Sequence, residues 1–262
     1  MTALLKGKNI LVTRERNQAK EFSAKIKQCG GSSFEVPLLS IECKEDASVK
    51  HYLNQLHVYK WIFFTSANGV DCFIKLALIH GVSIDALKTL KVAVVGHKTE
   101  EAIQRYGITA DFIPSVYDAE HMATEFLQKK EWTGRILLVR GNRSRFVLPH
   151  EFSHAGIAFD NIEVYDTTIN TRVKSELNQL LQDVHFDFLT FTSPSTIDAF
   201  IQMIDLDMEQ FREQQCVCIG TTTAKQAKAV GFKQILIPKE FTIEGMIACM
   251  NDYLNERIDS NE

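Results

Sequence analysis

The chain has 262 residues, a formal net charge of −4, and 45% hydrophobic and 24% charged residues. That is enough chain for two domains with cores of their own, and the composition argues against widespread disorder. A net negative charge gives no global basic field for nucleic acid.

Taken in order, the first residues, Met1 to Arg14, show no basic segment followed by an apolar stretch and a small-residue cleavage site. No run approaches the roughly 20 apolar residues that span a bilayer, so a cytoplasmic protein is expected. Short apolar runs at residues 9–13, 61–65, 92–95, 136–139, 188–191 and 217–219 have the pattern of strands buried on both faces. Between them, Val70, Phe73, Ile74 and Ala77, and later Ala224, Ala227 and Val230, recur at helical spacing. Ser66, Asp118, Ser193 (followed by Pro194) and Thr242 stand where helices should start, and Gly107 and Gly231 where they should end. Strands alternating with helices predict parallel sheets covered by helices.

The chain also repeats itself. Phe64-Thr65-Ser66 recurs as Phe191-Thr192-Ser193, and Leu11-Val12 as Leu138-Val139, both 127 residues on. Gly96, Gly107, Pro114, Glu120 and Met122 recur 124 residues on as Gly220, Gly231, Pro238, Glu244 and Met246. Two copies of one α/β unit follow.

Of the six cysteines, Cys29, Cys43, Cys72 and Cys249 are isolated, and no Cys-x-x-Cys occurs. Buried, reduced thiols are expected, with Cys216 and Cys218 sent to opposite faces of a strand and so unable to share a metal. No Gly-x-Gly-x-x-Gly or phosphate loop is present: Gly96-His97-Lys98-Thr99 lacks the earlier glycine.

In parallel α/β sheets ligands bind beyond the carboxyl ends of the strands. Those ends carry Thr13-Arg14, Thr65-Ser66-Ala67-Asn68, Gly96-His97-Lys98-Thr99, Arg140-Gly141-Asn142-Arg143, Ser193-Pro194-Ser195 and Gly220-Thr221-Thr222-Thr223. Such rims are rich in donors and poor in bases, which suits a ligand with several carboxylates. Each serine or threonine could equally be only a helix cap, His97 reads as a rim residue, and Arg143 and Arg145 as either solvated or ligand-binding. Tyr165 differs. Alternation along Glu163-Val164-Tyr165-Asp166 sends it to the face opposite Val164, and it takes the place that Pro37 holds in the first copy. A phenol there is either a proton donor or a packing residue at a domain junction.

Together, Leu11-Val12-Thr13-Arg14, Phe64-Thr65-Ser66, Val94-Val95-Gly96, Glu163-Val164-Tyr165-Asp166-Thr167, Phe191-Thr192-Ser193-Pro194-Ser195 and Ile219-Gly220-Thr221-Thr222-Thr223-Ala224 resemble the uroporphyrinogen-III synthases, from about residue 8 to about residue 250. The resemblance implies two flavodoxin-like parallel-sheet domains joined by a two-stranded antiparallel linker. A cut at mid-chain gives way to domains 1–36 with 170–262, and 43–163, with linker strands at 37–42 and 164–169. Such a connector favours hinge motion. It implies a cofactor-free, metal-free monomer that turns hydroxymethylbilane into uroporphyrinogen III with ring D inverted and water lost. A transient contact with hydroxymethylbilane synthase is allowed; nucleic acid and membrane partners are not expected. Tyr165 is implied to assist departure of the hydroxyl, while Arg14, Ser66, Thr99, Ser193, Ser195, Thr221, Thr222 and Thr223 bind substrate. Gln215 departs from a lysine that some family members carry before the glycine-threonine block. The alternative is a two-lobed small-molecule binding or sensor protein without catalysis.

Overall fold

A computed structural model of the chain describes residues 5–45, 47–129 and 133–259. The apolar runs form strands: β1 (Asn9–Val12), β2 (Ser32–Glu35), β3 (Leu39–Cys43), β4 (Tyr59–Phe64), β5 (Lys91–Val94), β6 (Arg135–Gly141), β7 (Phe159–Ile169), β8 (Phe188–Phe191), β9 (Cys216–Cys218) and β10 (Ile235–Leu236). They make two five-stranded sheets, ordered β10-β9-β8-β1-β2 and β3-β7-β6-β4-β5. The pairings within the first sheet are parallel, as are β4–β5, β4–β6 and β6–β7 in the second. The chain divides into two compact units, Met1–Ser40 with Thr168–Glu262 (the first unit) and Ile41–Thr167 (the second). The sheets therefore do not follow the repeat: each copy gives its first two strands to the sheet built from the rest of the other copy.

The central strands are apolar throughout because both of their faces are covered. In β6, Leu137 and Val139 enter one core cluster while Ile136 and Leu138 enter another. In β1, Leu11 faces one cluster, Ile10 and Val12 the opposite one. Phe63 is fully buried with its ring edge-on to Phe126 at 4.8 Å and Phe152 at 5.3 Å. Truncating such a ring to alanine costs about 3–5 kcal/mol.

Helices start where the sequence marks them. The side chains of Ser66, Asp118, Ser193 and Thr242 accept from the backbone amides of Gly69, His121, Thr196 and Gly245. Ser193 and Thr196 form a reciprocal capping box with Pro194 just inside the helix. Gly107 and Gly231 take φ of +70° and +109° where their helices stop, a region that only glycine enters freely.

The cysteine expectations need two corrections. Cys43 and Cys72 are not free thiols but form a disulfide, the end of β3 meeting the helix Ala67–Ile79 with 5.2 Å between Cα atoms. Proximity of that kind is tertiary and leaves no mark in sequence spacing. Cys216 and Cys218 do not face opposite ways. Side chains two apart on a strand share a face, and the two buried sulfurs lie 3.6 Å apart. No described helix is long and apolar enough to cross a membrane.

Candidate active site

The carboxyl edge of the second unit gathers the chemistry. β4 runs into Thr65-Ser66, and the Ser66 hydroxyl caps the helix Ala67–Ile79 by accepting from the Gly69 amide at 3.0 Å. The same oxygen lies 3.0 Å from the phenolic oxygen of Tyr165, and either hydroxyl can be the donor. Tyr165 is only 8% exposed.

How the phenol arrives there differs from the expectation of simple alternation. Arg140 pairs with Glu163 but Gly141 pairs with Tyr165, so Val164 is an extra residue in β7. This bulge resets the alternation, and Val164 and Tyr165 both enter the same core cluster instead of opposite faces. The ring then crosses directly over Gly141, so close that a Cβ there would overlap the ring carbons. Strand register also corrects the repeat match. At the 127-residue offset that relates Val12 to Val139, Tyr165 corresponds to the fully buried Leu38, whose amide donates to the Thr13 carbonyl at 3.3 Å, and not to Pro37.

Beside this pair lies a cavity of about 400 Å³ whose wall includes Thr65, Ser66, Tyr117, Arg140, Arg143 and Tyr165. Arg145 also lines it, held by the carboxylate of Glu120. Arg143 is exposed and makes no ion pair among the described residues. The carboxylate of Asp118, another wall residue, is turned to His121, whose amide donates to it at 2.7 Å, and that bond holds its pKa below the ordinary range. His97 is an exposed rim residue, with Glu100 at 3.0 Å and the Tyr117 ring 5.8 Å away. Thr99 is buried in the first turn of the helix His97–Gln104.

The first unit presents its own edge. Ser193 and Ser195 are 3.0 Å apart through their hydroxyls, after β8. Thr221, Thr222 and Thr223 open the helix after β9; the first two are exposed, whereas Thr223 is 3% exposed. Gly96 and Gly220 start their helices without a side-chain cap, which leaves first-turn amides for a ligand. Arg14, after β1, is half-buried and its Nε donates to Gln18 at 2.6 Å. Burial lowers its pKa, against the opposing charges of Glu21 and Glu15. The strands before Arg14, Ser193 and Thr221 are neighbours in the sheet, yet no hydrogen bond joins these three residues among the described residues.

From sequence, Arg140 stands on a ligand-facing rim but not among the substrate-binding residues, and Tyr117 stands in neither. Arg140 ends an apolar strand run, and its signal was the mismatch with Thr13 in the repeat. Tyr117 had a counterpart 124 residues on in Phe241; the two rings are 57% and 58% exposed, and each lies against the glycine that opens a helix, Gly96 or Gly220. No group of three or more His, Cys, Asp or Glu able to hold a metal occurs among the described residues.

The family description "Uroporphyrinogen-III synthase HemD" matches residues 20–248. A uroporphyrinogen-III synthase of Chlorobaculum parvum is 30% identical over 89% of this chain and 94% of its own length. The porphyrin biosynthesis protein HemD of Ruminiclostridium josui is 26% identical over 92% of this chain, which spans only 47% of that longer protein. Among solved structures, uroporphyrinogen-III synthetase of Helicobacter pylori matches in fold with a TM-score of 0.67 at 18% identity, over 94% of this chain and 99% of that one. Sequence order, paired sheets and relatives agree: this chain belongs to the uroporphyrinogen-III synthase family.

Proposed function

We propose that this chain cyclises hydroxymethylbilane to uroporphyrinogen III, inverting ring D and releasing water. The observation that carries the reading is the hydroxyl of Tyr165, 3.0 Å from Ser66 and beside a cavity with three arginines in its wall. In this mechanism Tyr165 gives its proton to the departing hydroxyl while the pyrrole nitrogen of ring A pushes the carbon–oxygen bond apart. Ring D attacks the resulting azafulvene through its substituted carbon, the spiro intermediate fragments, and the ring recloses reversed. The proton that the ring loses on closure restores the phenol. Because the substrate drives its own electron flow, the protein's task is mainly to fix its conformation.

Arg14, Ser66, Ser193, Ser195, Thr221 and Thr222 serve as donors to the acetate and propionate groups. Thr99 and Thr223, being buried, act by shaping the first turns that present backbone amides. The domains proposed are 1–36 with 170–262, and 43–163, with 37–42 and 164–169 as antiparallel linker strands. In support, the compact units change over at Ser40/Ile41 and Thr167/Thr168. Contacts from Leu38 to Asn170, Ser40 to Thr168 and Lys44 to Val164 also run in opposite directions along the chain. The enzyme is taken to be a cytoplasmic monomer that meets hydroxymethylbilane synthase only transiently.

Incubation with hydroxymethylbilane, oxidation and separation of the porphyrin isomers tests the reaction. The reversed isomer is expected. Only the unreversed isomer, as forms without protein, would overturn it and leave a binding protein as the alternative.

A further inference from the structure

The second unit buries a positive charge that its fold does not need. Arg140 is 6% exposed and lines the cavity beside Tyr165. One edge of its guanidinium is held: Nη2 donates to the Ser144 carbonyl at 2.7 Å, and the group lies 4.8 Å from the centre of the Phe146 ring. Its Nε is buried and has no partner among the described residues. No carboxylate pairs with it there either. Glu163, its register neighbour on β7, is held by Lys44 at 3.4 Å, and Glu120 by Arg145. Asp118 is turned to His121.

The repeat supplies the control. Thr13 stands at the matching position of the first unit, equally buried, and its hydroxyl donates to the Thr190 carbonyl at 2.7 Å. A small, self-satisfied side chain therefore suffices at this strand end. A buried guanidinium with an open donor is instead costly unless an anion completes it.

We infer that Arg140, whose Nε has no partner among the described residues, is a substrate-positioning residue whose guanidinium takes a carboxylate of the tetrapyrrole substrate, with Arg143 as the second cation. This rests on the reaction proposed above. The same cavity offers the exposed Tyr117 ring for the apolar body of a pyrrole. A planar guanidinium already held in place by one N–H fixes the direction of a carboxylate as well as its presence. Arg140 therefore orients one ring relative to Tyr165, and it bears on isomer choice as well as on affinity.

The test compares wild type, Arg140→Thr and Arg140→Lys with hydroxymethylbilane, reading KM, kcat, isomer ratio and melting temperature. Thr is the residue that the first unit tolerates, so the fold should survive. Arg140→Thr should raise KM roughly 10- to 100-fold, the worth of one charged hydrogen bond, and release more unreversed isomer. Arg140→Lys should recover part of the KM but less of the isomer ratio, because a lysine is not a fork. A wild-type protein that makes no reversed isomer sinks the proposed reaction, whatever the variants do. A wild type that does, with an Arg140→Thr protein of unchanged KM and isomer ratio, sinks this inference. If Arg140→Thr fails to fold, Arg140→Lys decides alone: an unchanged isomer ratio and KM would overturn the forked contact.

Discussion

The two carboxyl edges of this molecule are copies of one design that have been finished differently. In the first unit Thr13 and Thr190 close their hydroxyls on backbone carbonyls at 2.7 Å, Arg14 is held by Gln18, and Leu38 fills the core. In the second, the matching positions hold Arg140 with an unpartnered, buried Nε, Gly141 with no side chain, and Tyr165 lying over that glycine. At these positions the first edge satisfies itself, whereas the second leaves a cation and a phenol beside a cavity. Groups that a fold does not require, and that cost something to bury, mark where function resides. On the reaction proposed above, this difference places the proton-donating step in the second unit.

The substitution expected to break this contrast most severely is Gly141→Ala. The new methyl would collide with the Tyr165 ring, and displacing a reacting group by about an ångström is worth on the order of 10²-fold. A kcat lowered by about 10²-fold or more is expected, with far-ultraviolet circular dichroism preserved. Unchanged kcat would mean that the ring need not lie over Gly141. Next comes Tyr165→Phe. Ser66 keeps its bond to the Gly69 amide, so folding and KM should hold while kcat falls about 10²-fold or somewhat less. The product should remain mostly the reversed isomer. Full kcat in single-turnover mixing would make the phenol a packing residue.

Most of this contrast was written in the sequence, though unevenly. The strands were legible because both faces of β1 and β6 are buried, which forces unbroken apolar runs. Ser66, Ser193, Asp118 and Thr242 were legible because capping is local. What failed was whatever depends on register or on distant contacts. The bulge at Val164 cannot be seen from alternation, and it is what turns Tyr165 onto the face shared with Val164. Arg140 could be placed on a rim from sequence, but its burial, its cavity and its missing partner could not. The Cys43–Cys72 bridge required two segments to meet in space.

On the first unit's side the effects should be smaller. Arg14→Ala should raise KM about tenfold with little change in kcat, since a carboxylate contact persists from ground state to transition state and is worth roughly 1–2 kcal/mol. Comparing it with Arg140→Thr sharpens the contrast: only the second should shift the isomer ratio. Equal isomer ratios in the two variants would mean that both edges merely bind.

The smallest effect is expected at the far ends of the strands, where the copies differ by degree. Lys8 pairs with Asp187 at 2.9 Å in the first unit, and its counterpart Arg135 grips Asp160 with Nε at 2.5 Å and Nη2 at 2.7 Å in the second. Asp160 also accepts from the Tyr59 hydroxyl at 2.8 Å, and burial followed by that bond raises the Tyr59 pKa. The Arg135 hydrogen bond, above all, holds the Asp160 pKa below the ordinary carboxylate value. A depressed carboxylate pKa contributes stability that is present above the unfolded value, near about 3.9, and is lost as pH falls through the lower folded one. Arg135 is 45% exposed, so solvent screens much of the gain. Asp160→Asn should therefore lower the melting temperature by only about a few degrees at neutral pH. The gap from wild type should begin to narrow as pH falls below the unfolded value and close only below the lower folded one, where wild-type Asp160 takes up its proton. Amide exchange should locate the loss in β6 and β7 while β1 and β8 stay protected. A gap that persists unchanged in acid would show that the amide disturbs packing, and that the charge of Asp160 adds nothing to the second unit.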